Sequence, residues 1–235
     1  MTLRRASRAL CKAVDALSFS APVAYTLNPL QYARTVHEAY LERYGAAPKQ
    51  TVLLGMNPGP YGMAQTGVPF GEIAAVRDHL GLEGVITSPK SAPEARPILG
   101  FACPRSEVSG QRLWGAIRAR HPDPQTFFAH AFVVNYCPLL FLDAKLANLV
   151  PERLRRDERR ALEAVCDQHL QEVAALLTPT RWIAVGKYAA LCIQRALDCA
   201  PLILPHPSPA SPLANRGWAE AARACLHDHG VDDIL

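Results

Sequence analysis

The chain has 235 residues, 49% of them hydrophobic and 20% charged, and 25 Lys and Arg against 21 Asp and Glu give a formal net charge of +4. That length buries a full α/β core without disulfide or metal staples, and the composition is too apolar for disorder. Its apolar runs are too interrupted to span a bilayer, which excludes a membrane-embedded protein, and the small positive excess favours an anionic partner only weakly.

The basic start, with Arg4, Arg5, Arg8 and Lys12, lacks the apolar stretch of a secretory signal and reads as an amphipathic surface helix over residues 2–18. Asn28 as N-cap and Pro29 at the first helical position open a second helix that runs to about Gly45. Short apolar runs at 51–54, 131–134, 182–185 and 201–204 read as buried strands, and helical patterns at 109–120, 152–177 and 187–197 lie between them. No internal repeat interrupts this order, so residues 1–235 are taken as a single domain. Strands joined by helical connections imply right-handed crossovers, hence a three-layer α/β/α sandwich around a four-stranded parallel sheet.

Cys11, Cys103, Cys137, Cys166, Cys192, Cys199 and Cys225 are odd in number and include no C-x-x-C pair, so they read as reduced thiols. A zinc or iron–sulfur site would normally show such a pair, and no metal and no cofactor are expected.

In an open parallel sheet, ligands bind beyond the carboxyl ends of the strands. The segments there are Gly55-Met56-Asn57-Pro58-Gly59-Pro60, Asn135-Tyr136-Cys137-Pro138 and His206-Pro207-Ser208-Pro209. Asn57 and His206 each precede a proline, which holds their backbone extended and presents both side chains from stiff loops. Singly, Asn57 reads as a turn residue and His206 as a loop histidine; with Asn135 at a third strand end, a shared polar site is the better reading.

No Ser/His/Asp triad is present and no acidic residue lies in the three segments. Glu72, the nearest, reads as a helix-start carboxylate, and the site is therefore expected to lack a carboxylate. An amide such as Asn57 cannot take a proton and can only hold a water or ligand, whereas His206 can donate to developing negative charge. The reading is a site for stabilising a leaving group. The loop from Gly55 to Glu72 is glycine-rich but matches neither G-x-x-x-x-G-K-[ST] nor G-x-G-x-x-G, so nucleotide-cofactor binding is disfavoured. Met56, Met63 and Phe70 add soft and aromatic surface beside Asn57.

The run from Gly55 through Asn57-Pro58-Gly59-Pro60, Met63 and Phe70-Gly71-Glu72 closely resembles the single-strand-selective monofunctional uracil-DNA glycosylases. So do Asn135-Tyr136-Cys137-Pro138-Leu139 and His206-Pro207-Ser208-Pro209 with the following Pro212, Ala214, Asn215 and Gly217-Trp218, and the likeness spans about residues 25–230. The resemblance implies the uracil-DNA glycosylase fold and hydrolysis of the N-glycosidic bond of uracil and of 5-substituted uracils, such as 5-hydroxymethyluracil and 5-formyluracil. Single- and double-stranded DNA would both serve, in the first step of base excision repair.

By position, the resemblance makes Asn57 the residue that places the attacking water and His206 the donor to uracil O2. Phe70 becomes the stacking floor, with Met56 in the same binding set, and Asn135 the reader of the uracil edge. Gly59 and Met63 stand beside C5. With no Cβ, Gly59 is expected to leave the volume that admits 5-substituents. Pro207, Ser208, Pro209, Ala210, Ser211, Pro212, Leu213, Asn215 and Arg216 form the implied DNA wedge. Ala210 and Ser211 depart from the family, which often carries a basic residue and an amide there, and this leaves base extrusion and strand preference open.

Lys187, Arg216, Arg105 and Arg112 are candidate phosphate contacts. No lysine sits in the three segments, so no Schiff-base lyase step is expected. The resemblance implies DNA containing uracil or a modified uracil as the partner, and a monomer is expected, in the cytoplasm at a bacterial nucleoid or in the nucleus of a eukaryote. The alternatives are a sensor that holds a flipped base without cleaving it, and an iron–sulfur member of the wider superfamily, which the cysteine spacing disfavours.

Overall fold

A computed structural model describes residues 1–235. The N-terminal helix α1 (Leu3–Asp15) is capped by Thr2, whose hydroxyl accepts from Arg5 N–H at 3.3 Å. A short strand β1 (Tyr25–Leu27) follows, and Asn28 then caps a helix as the sequence implies. That helix is broken into α2 (Pro29–Tyr32) and α3 (Arg34–Tyr44). The break lies at Ala33, fully buried with φ −106° and ψ 23°, where the loop at Gly67 presses so close that a Cβ on Gly67 would sit 2.9 Å from that of Ala33.

Strand β2 (Thr51–Gly55) is buried along its whole length. The connection after it holds the short helix α4 (Met63–Thr66), a π-helical turn at Ala75–His79, α5 (Val108–Arg120) and α6 (Pro124–Phe128). Strand β3 (Ala131–Asn135) then pairs parallel with β2 in a register that sets Gly55 against Asn135. Two further strands, β4 (Leu140–Leu142) and β5 (Asn148–Leu149), join β1 in a small antiparallel sheet of order β1-β4-β5. Periodicity gives no sign of this sheet because two or three residues per strand carry no period. After a 3-10 turn at Pro151–Arg153 come α7 (Arg156–Leu177), β6 (Arg181–Val185), α8 (Lys187–Leu197), β7 (Leu202–Leu204) and α9 (Trp218–His227). The predicted helix at 152–177 thus starts four residues late because the 3-10 turn takes its first residues, and α9 lies beyond the predicted elements.

The main sheet has the order β3-β2-β6-β7, all parallel. From β2 the chain crosses to β3 on one side, and from β6 it crosses to β7 on the other. Right-handed crossovers in opposite directions cover opposite faces, so α5 lies on one face and α7 with α8 on the other. Contacts agree: α1, α7 and α8 pack together, and α5 packs against α9. The sheet therefore switches direction between β2 and β6, where a crevice opens at the carboxyl ends.

Aromatic packing anchors α3 and α6 to β3. Tyr44 stacks on Phe128 with centroids 4.0 Å apart, Tyr40 stacks on Phe132 at 5.0 Å, and the Tyr40 hydroxyl donates to the Val133 carbonyl at 2.8 Å. Beneath the β3 end, buried His37 ties α3 to the loop at Gly67 and to α1, with Nδ1 2.8 Å from Gly67 O and Nε2 2.9 Å from Ser7 Oγ.

Burial pushes the pKa of His37 down to about 4. The unfolded imidazole titrates near 6.5, so the unfolded chain binds the extra proton first and acid favours unfolding. The contribution of His37 is complete above about pH 6.5 and is lost as pH falls toward 4. Thermal melts between pH 7.5 and 4 are expected to fall through that window, with up to about 3 kcal/mol traceable to this site. A melting temperature in His37→Gln with the same pH slope as the wild type would contradict the assignment.

Candidate active site

The carboxyl ends of β2, β3 and β7 open on one cleft of about 280 Å³. Met56, Asn57, Gly59, Met63, Phe70, Asn135 and His206 all line it, so the three post-strand segments converge as their positions in the sheet require. Ser208 and Pro209 line its mouth.

Backbone glycines make this convergence possible. A Cβ on Gly55 would overlap the Asn135 Oδ1 and stand 2.8 Å from Phe70 Cζ, so the end of β2 must be bare for the amide and the ring to meet there. Phe70 itself has φ +53°, a left-handed conformation that costs a non-glycine residue about 1–3 kcal/mol. It is held by Thr66 Oγ1, which donates to Gly71 O at 2.9 Å, by the Trp114 indole N–H, which donates to Pro69 O at 3.2 Å, and by Gly110, whose missing side chain lets α5 reach the Phe70 carbonyl. The Phe70 and His206 rings face one another across the cleft with centroids 6.5 Å apart.

His206 is fixed in one tautomer. The Ser208 backbone N–H donates to Nδ1 at 3.1 Å, so in the neutral ring the proton sits on Nε2. Burial lowers its pKa from 6.5, which keeps the ring neutral at physiological pH. Gly186, at φ +97°, permits this placement, since a Cβ there would lie 3.1 Å from His206 Cδ2. The site thus holds a neutral imidazole with a single N–H to offer.

Asn135 offers the complementary pair. Its Nδ2 lies 3.1 Å from Met63 Sδ, and its buried Oδ1 has no partner in the protein. An unpaired buried acceptor costs about 1–3 kcal/mol and is a signature of a ligand subsite. The Asn57 amide makes only a 3.5 Å contact to Pro58 O and is free to hold a ligand or water.

The expectation of a site without a carboxylate is wrong. Glu107, immediately before α5, folds over the glycine-rich loop and lines the cleft. The Tyr61 N–H donates to its Oε2 at 3.1 Å; burial pushes its carboxyl up in pKa, against the backbone N–H groups of Tyr61 and Gly62. The volume assigned to the missing Cβ of Gly59 is also not empty, because that Cβ would stand 2.6 Å from Glu107 Cδ. Ser109, Asn148 and Val150 complete the wall, the last two from β5 and the turn after it. No local pattern marks these residues, because long-range packing brings them to the cleft; the one available signal is that Gly59 and Gly62 both leave room for the Glu107 side chain. Glu72 behaves as read, accepting from Ala75 N–H at 2.9 Å in a helix-start position.

Within the wedge segment, Pro209, Ala210, Pro212, Leu213 and Arg216 are exposed, and Leu213 is 51% accessible. Ser208 and Ser211 are half-buried and turn their hydroxyls inward, accepting from Ala210 N–H at 3.2 Å and Ala214 N–H at 3.4 Å. Pro207 is buried, and Asn215, itself exposed, donates its amide to Pro209 O at 2.8 Å, which braces the loop. Arg112 braces it from α5, donating to Pro207 O and Asn215 Oδ1 at 2.9 Å each. Arg105 stacks on the Tyr61 ring at 4.0 Å with Arg96 at 5.6 Å, and neither pairs with a carboxylate; Lys187 is exposed at the start of α8.

A parallel sheet with its cleft at the switch point, a fixed neutral imidazole, a stacking ring and an unpaired amide define a site for a planar heterocycle with mixed donors and acceptors. The chain belongs to the uracil DNA glycosylase superfamily, whose family model matches residues 42–225. It is 46% identical over 224 residues to the single-strand selective monofunctional uracil-DNA glycosylase of Rattus norvegicus, covering 93% of this chain and 81% of that protein. The Mus musculus and Bos taurus proteins of the same description are 46% and 45% identical, again over 93% of this chain and over 80% and 82% of theirs. Among solved structures, Pedobacter heparinus SMUG2 shares the fold, with a TM-score of 0.65 at 16% identity, covering 96% of this chain and 97% of that one.

The tautomer is open to direct measurement. Nitrogen-15 NMR at pH 7.5 is expected to show His206 protonated at Nε2 and bare at Nδ1, with a titration midpoint below 6.5. A midpoint at or above 6.5, or a proton on Nδ1, would contradict the geometry.

Proposed function

We propose that the chain is a monofunctional DNA glycosylase that hydrolyses the N-glycosidic bond of uracil and 5-substituted uracils, initiating base excision repair. The unpartnered Asn135 Oδ1 beside a neutral Nε2–H donor carries the reading. Uracil N3–H satisfies that acceptor and O4 accepts from the Asn135 amide, whereas cytosine reverses both groups and leaves buried partners unpaired. Sites built on matched hydrogen bonds discriminate by roughly 10⁴–10⁵. The nucleotide must leave the stack to reach the cleft, at a cost of a few kcal/mol, and stacking on Phe70 returns about 1–3 kcal/mol.

In the reaction the C1′–N1 bond breaks with its electron pair on the base, and the sugar passes through an oxocarbenium-like state. His206 Nε2–H donates to O2 as the negative charge spreads there. Water held by Asn57 adds to C1′ and its proton passes to solvent, since an amide cannot accept it. The products are free uracil and an abasic sugar. No lysine lines the cleft, which supports hydrolysis without a lyase step. Leu213 supports the wedge reading as the exposed apolar residue of its loop.

The test is release of free base from a single-stranded oligonucleotide carrying one uracil. Wild type is expected to release it without borohydride-trappable adduct, and His206→Ala to lose about 10²–10³ in rate, the worth of one preorganised donor. Asn57→Ala is expected to lose most turnover while folding normally. No base release at excess enzyme would overturn the proposal, and near-wild-type turnover in either variant would overturn the role given to that residue.

Arg105 supplies a second check. If it meets a phosphate, Arg105→Gln is expected to weaken DNA binding regardless of sequence and to lower the salt slope of affinity by about 1. An unchanged slope would place the phosphate contact elsewhere.

A further inference from the structure

The sequence assigns the tolerance of 5-substituents to empty space at Gly59, yet that space is occupied. Glu107 brings both carboxylate oxygens and Cδ to within 2.8 Å of where a Gly59 Cβ would be, and its Cγ to 2.9 Å of where a Gly62 Cβ would be. Two glycines in four residues thus leave room for one acidic side chain reaching in from the start of α5. The carboxylate is anchored by the backbone N–H groups of Tyr61, which meets Oε2, and Gly62, and it lines the same cleft as Met63, Phe70 and Asn135. It forms no ion pair, although Arg105 stands two residues before it; that guanidinium is turned onto the Tyr61 ring and hydroxyl instead. A carboxylate has about four lone-pair sites, so two backbone N–H groups leave acceptor capacity for the cleft it lines.

Resting on the proposed reading of the cleft, we infer that Glu107 is the specificity-determining residue for the 5-position, favouring uracils whose 5-substituent donates a hydrogen bond. The orientation follows from groups already placed. Asn135 meets N3 and O4 and lies 3.1 Å from Met63 through its Nδ2, so the edge next to O4, which is C5, turns toward Met63 and Gly59. Glu107 backs Gly59 at that edge. A 5-hydroxymethyl group presents an O–H to the carboxylate, a charge-assisted bond. The 5-methyl of thymine presents only C–H groups, and seating them there strips water from a carboxylate without replacing the lost hydrogen bond. A 5-carboxyl group brings like charge against like charge. Glu107 therefore sorts 5-substituents by hydrogen-bonding sense and charge, where an empty pocket would sort them by size.

The experiment compares base release from single-stranded oligonucleotides carrying uracil, 5-hydroxymethyluracil or 5-carboxyuracil, by wild type and Glu107→Gln, as ratios of kcat/KM to that of uracil. In the variant the hydroxymethyl-to-uracil ratio is expected to fall about tenfold, one charge-assisted hydrogen bond, and the carboxyl-to-uracil ratio to rise. A purely structural role lowers all three rates together, so ratios within twofold of wild type would overturn the inference. If Glu107→Gln fails to fold, Glu107→Asp carries the test. It retracts the charge by one methylene, and an undiminished hydroxymethyl ratio there would equally overturn it. Failure of wild type to release uracil would instead strike the proposed function itself, which keeps the two claims separable.

Discussion

The site depends on a place where no side chain can stand. At the end of β2, Gly55 leaves its Cβ position to the Asn135 amide and the Phe70 ring, and the parallel register sets Gly55 directly against Asn135. Sheet pairing, which folding fixes for its own reasons, thereby sets the distance between the Asn135 amide and the Phe70 ring. Phe70 reaches that position only with a left-handed backbone, and the surrounding hydrogen bonds hold a conformation the residue would not choose alone.

The start of α5 is the second organiser. Within six residues it sends Glu107 into the cleft, puts Ser109 in its wall, lets Gly110 approach the Phe70 carbonyl, and extends Arg112 to brace the loop that follows His206. One helix end thus couples the floor, the 5-position edge and the histidine loop. The chemistry that results is economical. A neutral imidazole with one proton to share and a nearly unpartnered amide line the cleft, and the one carboxylate there is tethered beside Gly59. Under the proposed reaction, such a site accelerates cleavage by stabilising the leaving group more than by activating the nucleophile.

Much of this was legible in the sequence. Four apolar runs bounded by helical patterns gave the parallel sheet, since buried strands read as continuous hydrophobic stretches. The pre-proline residues Asn57 and His206, with Asn135, stood at strand ends, and strand ends converge. The break at Ala33, the small sheet β1-β4-β5 and the entry of Glu107 were not legible. Each is a contact between segments distant in the chain: Ala33 yields to the Gly67 loop, β1 finds β4, and Glu107 folds over a loop that ends well before it. Local periodicity carries no record of such meetings. Gly59 illustrates the point, because a missing Cβ tells only that something lies close: from the sequence that space was read as room for the ligand's 5-substituent, and Glu107 fills it. Arg112 and Asn215 likewise look like surface groups until their hydrogen bonds place them in the scaffold.

The most direct test of the central claim is Gly55→Ala, assayed for uracil release alongside its melting temperature. The added methyl must push the Asn135 amide and the Phe70 ring out of their shared position, and a displacement of about 1 Å at such a site costs about 10² in rate. The account predicts a folded protein with at least that loss. A folded Gly55→Ala variant that releases uracil at the wild-type rate would contradict it.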